Sequence, residues 1–216
     1  MWVERNFYNL EEQMVKGSSD KAIEYHPWNH FIPENARTLI IGTFPTALRN
    51  WSFDFFYPNK RNLLWKILAD INGTAIINES GENAVSERKA ILTSLRVGVT
   101  DMGKCIERNG GSSLDEQLCL KEAMDILALL ESNPTIKRLI LTSSSGPVSA
   151  LKWFMHYLKG KGIAVISPKG KKPLYFKLKY GDINVDVHIL YSPSPRASNR
   201  ISFPVLTAMY KSVINA

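Results

Sequence analysis

The sequence predicts an α/β fold of three layers, α/β/α, with a mainly parallel central sheet and a β-hairpin insertion near residues 163–190. Three observations carry this. Short apolar runs alternate with stretches of helical spacing between residues 37 and 158. The runs are apolar throughout rather than every second residue, as in strands buried on both faces. Two later strand-like runs are separated only by Gly181-Asp182, a two-residue hairpin turn.

Taken in order, residues 1–16 read as a short amphipathic helix, stopped by Gly17-Ser18-Ser19-Asp20. The aromatic, proline-rich segment 26–35 reads as an irregular surface cover. Residues 37–42 form the first buried strand, ending in Gly42. Apolar residues at 63, 64, 67, 68 and 71 mark one face of a helix over 62–71, and 85–95 repeats the spacing. A strand over 96–100 precedes a longer helix over 114–130, with Asp115 and Glu116 in its first turn, where negative charge suits the dipole. A strand over 136–141 and a helix over 146–158 follow. Strands over 163–166, 174–180 and 183–190 come next, and a helix over 203–214 closes the chain.

The 216 residues, 44% hydrophobic with nine Phe, eight Tyr and five Trp, supply a full core and exclude a disordered chain. With no internal repeat or linker-like tract, residues 1–216 read as a single domain. A net charge of +7 favours a polyanionic partner. Cys105 and Cys119 lack the paired spacing of a zinc site, and His26, His30, His156 and His188 are scattered, with Pro27 opposing a helix that would align the first two. The expectation is no structural metal. No apolar run reaches the roughly 18 residues that cross a bilayer, and the N-terminus lacks a basic start and apolar stretch, so the expectation is a soluble, cytoplasmic protein without a membrane partner.

In open parallel sheets ligands bind outside the carboxyl ends of the strands, which draws attention to four segments. Gly42-Thr43-Phe44-Pro45 follows the first strand; its glycine allows close approach of a ligand and its loop can turn amide N–H groups inward, although a plain strand-to-loop turn has the same composition. Tyr57, further along, is either core packing or a platform for a planar base, and Asn62 at a helix start is most simply a cap. Asp101 ends the second strand, where it can orient a water, stabilise a developing cation or cap a turn. Ser143-Ser144 end the third, offering hydroxyls to a base edge or phosphate, or capping a helix. Ser192-Pro193-Ser194-Pro195-Arg196 ends the fourth; stiff, hydroxyl-bearing and cationic, it suits a nucleic-acid backbone.

The order of these segments resembles the uracil-DNA glycosylase superfamily, most closely its hypoxanthine-DNA glycosylase-like branch, with the mismatch-specific uracil glycosylases as a second relative. Leu39-Ile-Ile-Gly-Thr-Phe-Pro45 looks like the first motif. Tyr57-Pro-Asn-Lys-Arg-Asn-Leu-Leu-Trp65 is similar to the aromatic-Pro-Asn stretch. Val97-Gly-Val-Thr-Asp-Met-Gly-Lys-Cys-Ile-Glu-Arg108, with Ser113-Leu-Asp115, resembles the third run, and Tyr191-Ser-Pro-Ser-Pro195 the phosphate-pinching second motif.

The resemblance implies a monofunctional glycosylase that acts as a monomer on DNA, flips out a deaminated base and removes it without metal or cofactor. By position, Asn62 would hold the attacking water and Tyr57 would stack on the base, while amides near Thr43 and Phe44, beside Gly42 and Pro45, would face its carbonyl. Ser192 and Ser194, stiffened by Pro193 and Pro195, would pinch phosphates, Arg196 would wedge the duplex, and Asp101 would activate water or stabilise the cation. Two positions depart from the uracil-reading branches: Phe44 stands where mismatch-type enzymes have asparagine, and Ser143-Ser144 where uracil readers present Asn-Gly. Those departures keep open a catalytically inactive nucleic-acid- or nucleotide-binding module on the same scaffold. The lysines of 169–179, interleaved with Tyr175, Phe176 and Tyr180, are either an added DNA clamp or a solvated hairpin.

Overall fold

A computed structural model describes residues 21–195 and 200–216; the helix expected over 1–16 and Arg196 lie outside them. In chain order the elements are β1 (Lys21–Tyr25), β2 (Thr38–Gly42), α1 (Leu64–Ile71), α2 (Gly81–Leu95), β3 (Val97–Asp101), β4 (Gly103–Asn109), β5 (Leu118–Ala123), α3 (Ile126–Ser132), β6 (Arg138–Leu141), α4 (Ala150–Gly160), β7 (Leu174–Tyr180), β8 (Ile183–Ile189) and α5 (Phe203–Ile214).

Five strands make the central sheet in the order β3-β2-β6-β8-β7, parallel except for the last pair. β2 is buried at every position, as its unbroken apolar run requires of a central strand. Alternate side chains divide between two cores. Leu39, Ile41, Leu139 and Leu141 face α3, α4 and the second sheet. Ile40, Val99 and Ile140 face α1, α2 and α5. The three-layer α/β/α arrangement follows from that division.

β7 and β8 form the expected hairpin, with Tyr180 opposite Ile183 and Gly181 at φ +53 in the connecting turn, a conformation that glycine adopts without strain. The rest of the late region differs from the sequence reading. No strand forms over 163–166, because β7 occupies the place beside β8 and leaves that run unpaired; Ile166 is 91% exposed.

The longer helix expected over 114–130 is also absent. In its place stand a 3-10 turn at Asp115–Gln117, strand β5 and the short helix α3. β5 pairs antiparallel with β4, which pairs with β1, giving a second sheet of three strands that the sequence did not predict. Asp125 restarts the helix by accepting a hydrogen bond from the Ala128 amide through its side chain. Residues 26–35 form the irregular surface cover expected, and within it Phe31 exchanges two backbone hydrogen bonds with Val99, closing the free edge of β3.

Candidate functional site

β2 and β3 run side by side and end together, with Gly42 opposite Asp101. The Asp101 side chain folds back over the glycine. A Cβ on Gly42 would lie 2.1 Å from Asp101 Oδ1 and 2.7 Å from the Tyr57 hydroxyl, so only glycine permits this approach. His26, arriving from the segment after β1, donates from Nε2 to Asp101 Oδ2 at 3.0 Å, and both side chains are almost wholly shielded, 3% and 7% exposed. Its ring is fixed edge-on against Trp28 and Phe44 and tilted on Phe56.

Tyr57 holds a left-handed backbone, φ +51, which turns its ring inward. Its hydroxyl sits 3.3 Å from Thr142 Oγ1, and Thr142 in turn donates to the Ile41 carbonyl. Burial first, then the Asp101 charge, raises the phenol well above its ordinary pKa, so it stays a neutral hydrogen-bond donor.

Thr43 donates from its hydroxyl to Asp115 Oδ2 at 3.0 Å. Burial chiefly, with the charges of Asp101 and Glu116 adding to it, pushes the Asp115 carboxyl above its ordinary value; the Thr43 hydrogen bond and Arg108 pull the other way. The loop bearing Asp115 is latched by Arg108, a guanidinium with 2% exposure. It pairs with Glu24 through Nε and Nη2 (2.7 and 2.9 Å), and donates to the carbonyls of Pro45 (2.8 Å) and Ser112 (2.7 Å). One side chain thus ties β1, the turn after β2 and the approach to Asp115 into a single scaffold. Phe44 is buried between His26 and Gly103, where a Cβ would lie 2.9 Å from its ring.

The other expected residues fall into two groups. Asn62 accepts from the Leu64 amide through Oδ1 at 3.0 Å, and the Leu63 amide donates to the Pro193 carbonyl at 2.8 Å. The start of α1 therefore lies against the Ser192–Pro195 turn, in which Ser192 Oγ accepts from the Ser194 amide. Lys172 lies over Tyr191, the residue before that turn, with Nζ 5.0 Å from the centre of the ring. Ser143 is engaged elsewhere, accepting from the Ala150 amide at the start of α4. Ser144 lines a separate groove of about 370 Å³ with Lys152, Met155 and Pro168.

The structure thus joins Gly42, Thr43, Asp101 and Tyr57 from three separate motifs, and adds His26, Thr142 and Asp115. His26 contacts a residue 75 positions away, a relation that local spacing does not reveal. Among the described residues no three metal-capable side chains come together, and no helix is long and apolar enough to cross a membrane.

These elements define an α/β/α fold whose polar centre lies at the carboxyl ends of two adjacent parallel strands. The fold is similar to a solution NMR structure of a protein from Methanosarcina acetivorans that is itself only provisionally named a uracil DNA glycosylase; the TM-score is 0.58, with 19% identity, over 89% of this chain and 96% of that one. No protein-family model and no curated protein sequence matches the chain.

Proposed function

We infer that the protein is a monofunctional DNA glycosylase that hydrolyses the N-glycosidic bond of a deaminated base, hypoxanthine or uracil, in a flipped nucleotide. One observation carries the reading: Gly42, Asp101 and Tyr57, from three motifs in the order of the uracil-DNA glycosylase superfamily, meet at the ends of β2 and β3. The likeness of fold to the Methanosarcina protein supports it.

The reaction separates charge, since the base leaves with an electron pair and the sugar becomes cationic at C1′. Asp101, held by His26, supplies fixed negative charge beneath the cation. Amides of Thr43 and Phe44 face the base carbonyl, and Tyr57 offers its ring to the base. Asn62 retains its amide N–H₂ and one lone pair after capping Leu64, enough to hold the attacking water. The Ser192–Pro195 turn, with Arg196 beyond it, grips the backbone. The strand-end Lys104 is exposed and its ammonium is stabilised by the hydrogen bond it donates to Glu122, so it is a poor amine nucleophile and a lyase step is not part of the reading. The reading takes residues 1–216 as one domain acting as a cytoplasmic monomer.

A second reading is a nucleic-acid-binding module without turnover. It is favoured by the commitment of Ser143 to α4 and by the 5% exposure of Asp101. Release of free base from uracil- or hypoxanthine-containing DNA, leaving an abasic site and no borohydride-trapped adduct, separates the two. Binding with no base released would leave the module.

A further inference from the structure

Two carboxyl groups flank the turn after β2, and their surroundings differ in kind. Asp101 has a ring N–H donor on Oδ2 and the Tyr57 hydroxyl next to Gly42 near Oδ1, and it is buried. Asp115 is half-buried, and among the described residues its one side-chain hydrogen bond comes from the Thr43 hydroxyl to Oδ2. No ion pair of Asp115 is present among the described residues, and Arg108, the cation that reaches it, is already committed to Glu24 and two carbonyls. The charges facing Asp115 are therefore Asp101 from β3, Glu116 beside it in the same turn and the engaged Arg108 from β4. Burial chiefly, and then the like charges of Asp101 and Glu116, make Asp115 hold its proton more firmly than an ordinary carboxyl, and among the described residues its Oδ1 has no hydrogen-bond partner. A carboxyl anchored by Thr43 on one oxygen, beside the turn after β2 and slow to lose its proton, is fitted to act as an acid.

We propose that Asp115 is the proton donor of the site, meeting the departing base through Oδ1 while Thr43 holds Oδ2. This rests on the glycosylase reading and adds to it a residue that handles the leaving group. As the C1′–N bond breaks, its electron pair passes to the base and the Asp115 proton goes to a ring nitrogen or carbonyl oxygen of that base. The water adding to C1′ releases a proton to solvent, and Asp115 regains one from solvent. The products are the neutral base and a sugar hydroxyl.

The proposal distinguishes bases by their need for a proton. Single-turnover base release is compared for uracil against 5-fluorouracil in DNA, or for hypoxanthine against its N7-methyl derivative, according to which parent base the wild type removes. The fluoro base leaves readily as an anion and the methylated purine leaves already neutralised. In Asp115→Asn the parent base should slow by roughly 100-fold or more, the scale of a lost general acid, and the activated base by less than about threefold. The neutral acid is required, so wild-type rate should fall as pH rises through the raised pKa of Asp115, and that limb should be missing in the variant. Thr43→Val, which removes the hydrogen bond that lowers this pKa, should move the limb to higher pH, and it serves if Asp115→Asn does not fold. Equal slowing of both bases, or an unmoved limb, would overturn the proposal while leaving the glycosylase reading intact. A wild type that releases no base would overturn both.

Discussion

Asp101 Oδ1 stands so close above Gly42 that a methyl group on the glycine would lie 2.1 Å from it, inside any tolerable contact. The carboxylate is therefore positioned by the absence of a side chain as much as by the His26 that binds its other oxygen. Gly42→Ala should destabilise the fold by about 1–3 kcal/mol, the range for overpacking a tight interior, and should displace Asp101 and Tyr57 together. Gly160, with nothing within 4 Å of its Cβ position, is the control: Gly160→Ala should be neutral or stabilising by up to about 1 kcal/mol. Thermal melting of the two variants checks this, and equal behaviour would show that the approach at Gly42 is not tight.

Arg108 is the latch that should cost most to remove. Its guanidinium is buried, and Arg108→Met would leave Glu24 and two carbonyls without their donor. The loss should be about 3 kcal/mol, at the lower end for breaking a buried pair because Glu24 keeps 34% exposure. A double-mutant cycle with Glu24→Gln should show strong coupling. Additive losses would mean that the pair contributes little beyond its packing.

Asp125 gives a pH dependence remote from the site. Its carboxyl is drawn down to about 2, first by the Lys161 ammonium and then by the Tyr157 hydroxyl. Its pKa is lower in the folded chain than in the unfolded one. Its stabilisation is thus complete above the ordinary carboxylate range and is lost as pH falls through about 2. With the side chain 48% exposed, solvent screening limits the effect to about 1 kcal/mol or less. Asp125→Asn keeps an N-cap acceptor, so it should lower the melting temperature slightly at pH 7 with the difference closing near pH 2. A constant difference across that range would contradict the assignment.

The salt dependence of DNA binding should report on Lys172. Burial first, and Arg200 second, lower its pKa, and its ammonium lies over Tyr191 beside the Ser192–Pro195 turn. A cation there, near enough to Arg200 to feel its charge, is suited to a phosphate. Lys172→Gln should reduce the slope of log affinity against log salt by about 1. An unchanged slope would remove Lys172 from the interface.

How far the sequence carried the fold and site depends on the range of each interaction. Buried parallel strands announce themselves in runs such as Leu39-Ile-Ile, and their carboxyl ends identify Gly42 and Asp101 before any contact is known. The segment around Asp115 is less legible. Asp115 and Glu116 look like acids opening a long helix, and they do open a turn, but one of three residues. The half-exposed β5 that follows is stabilised by pairing with β4, a tertiary relation that local pattern does not encode. His26 belongs to the same class: its role is set by Asp101 across the fold, and its neighbours in sequence suggest only an aromatic cover. Ser143 shows the reverse, since its position at a strand end suits a ligand while its hydroxyl satisfies the first turn of α4.

Whether the ends of β2 and β3 excise a base is tested by single-turnover base release from DNA containing uracil, hypoxanthine, xanthine or mismatched thymine, each single- and double-stranded, by the wild type, Asn62→Ala and Asp101→Asn. The wild type should release uracil or hypoxanthine. Both variants should lose at least about 100-fold in rate, with DNA affinity nearly unchanged. Full activity in both variants, or DNA binding without release of any base by the wild type, would contradict it.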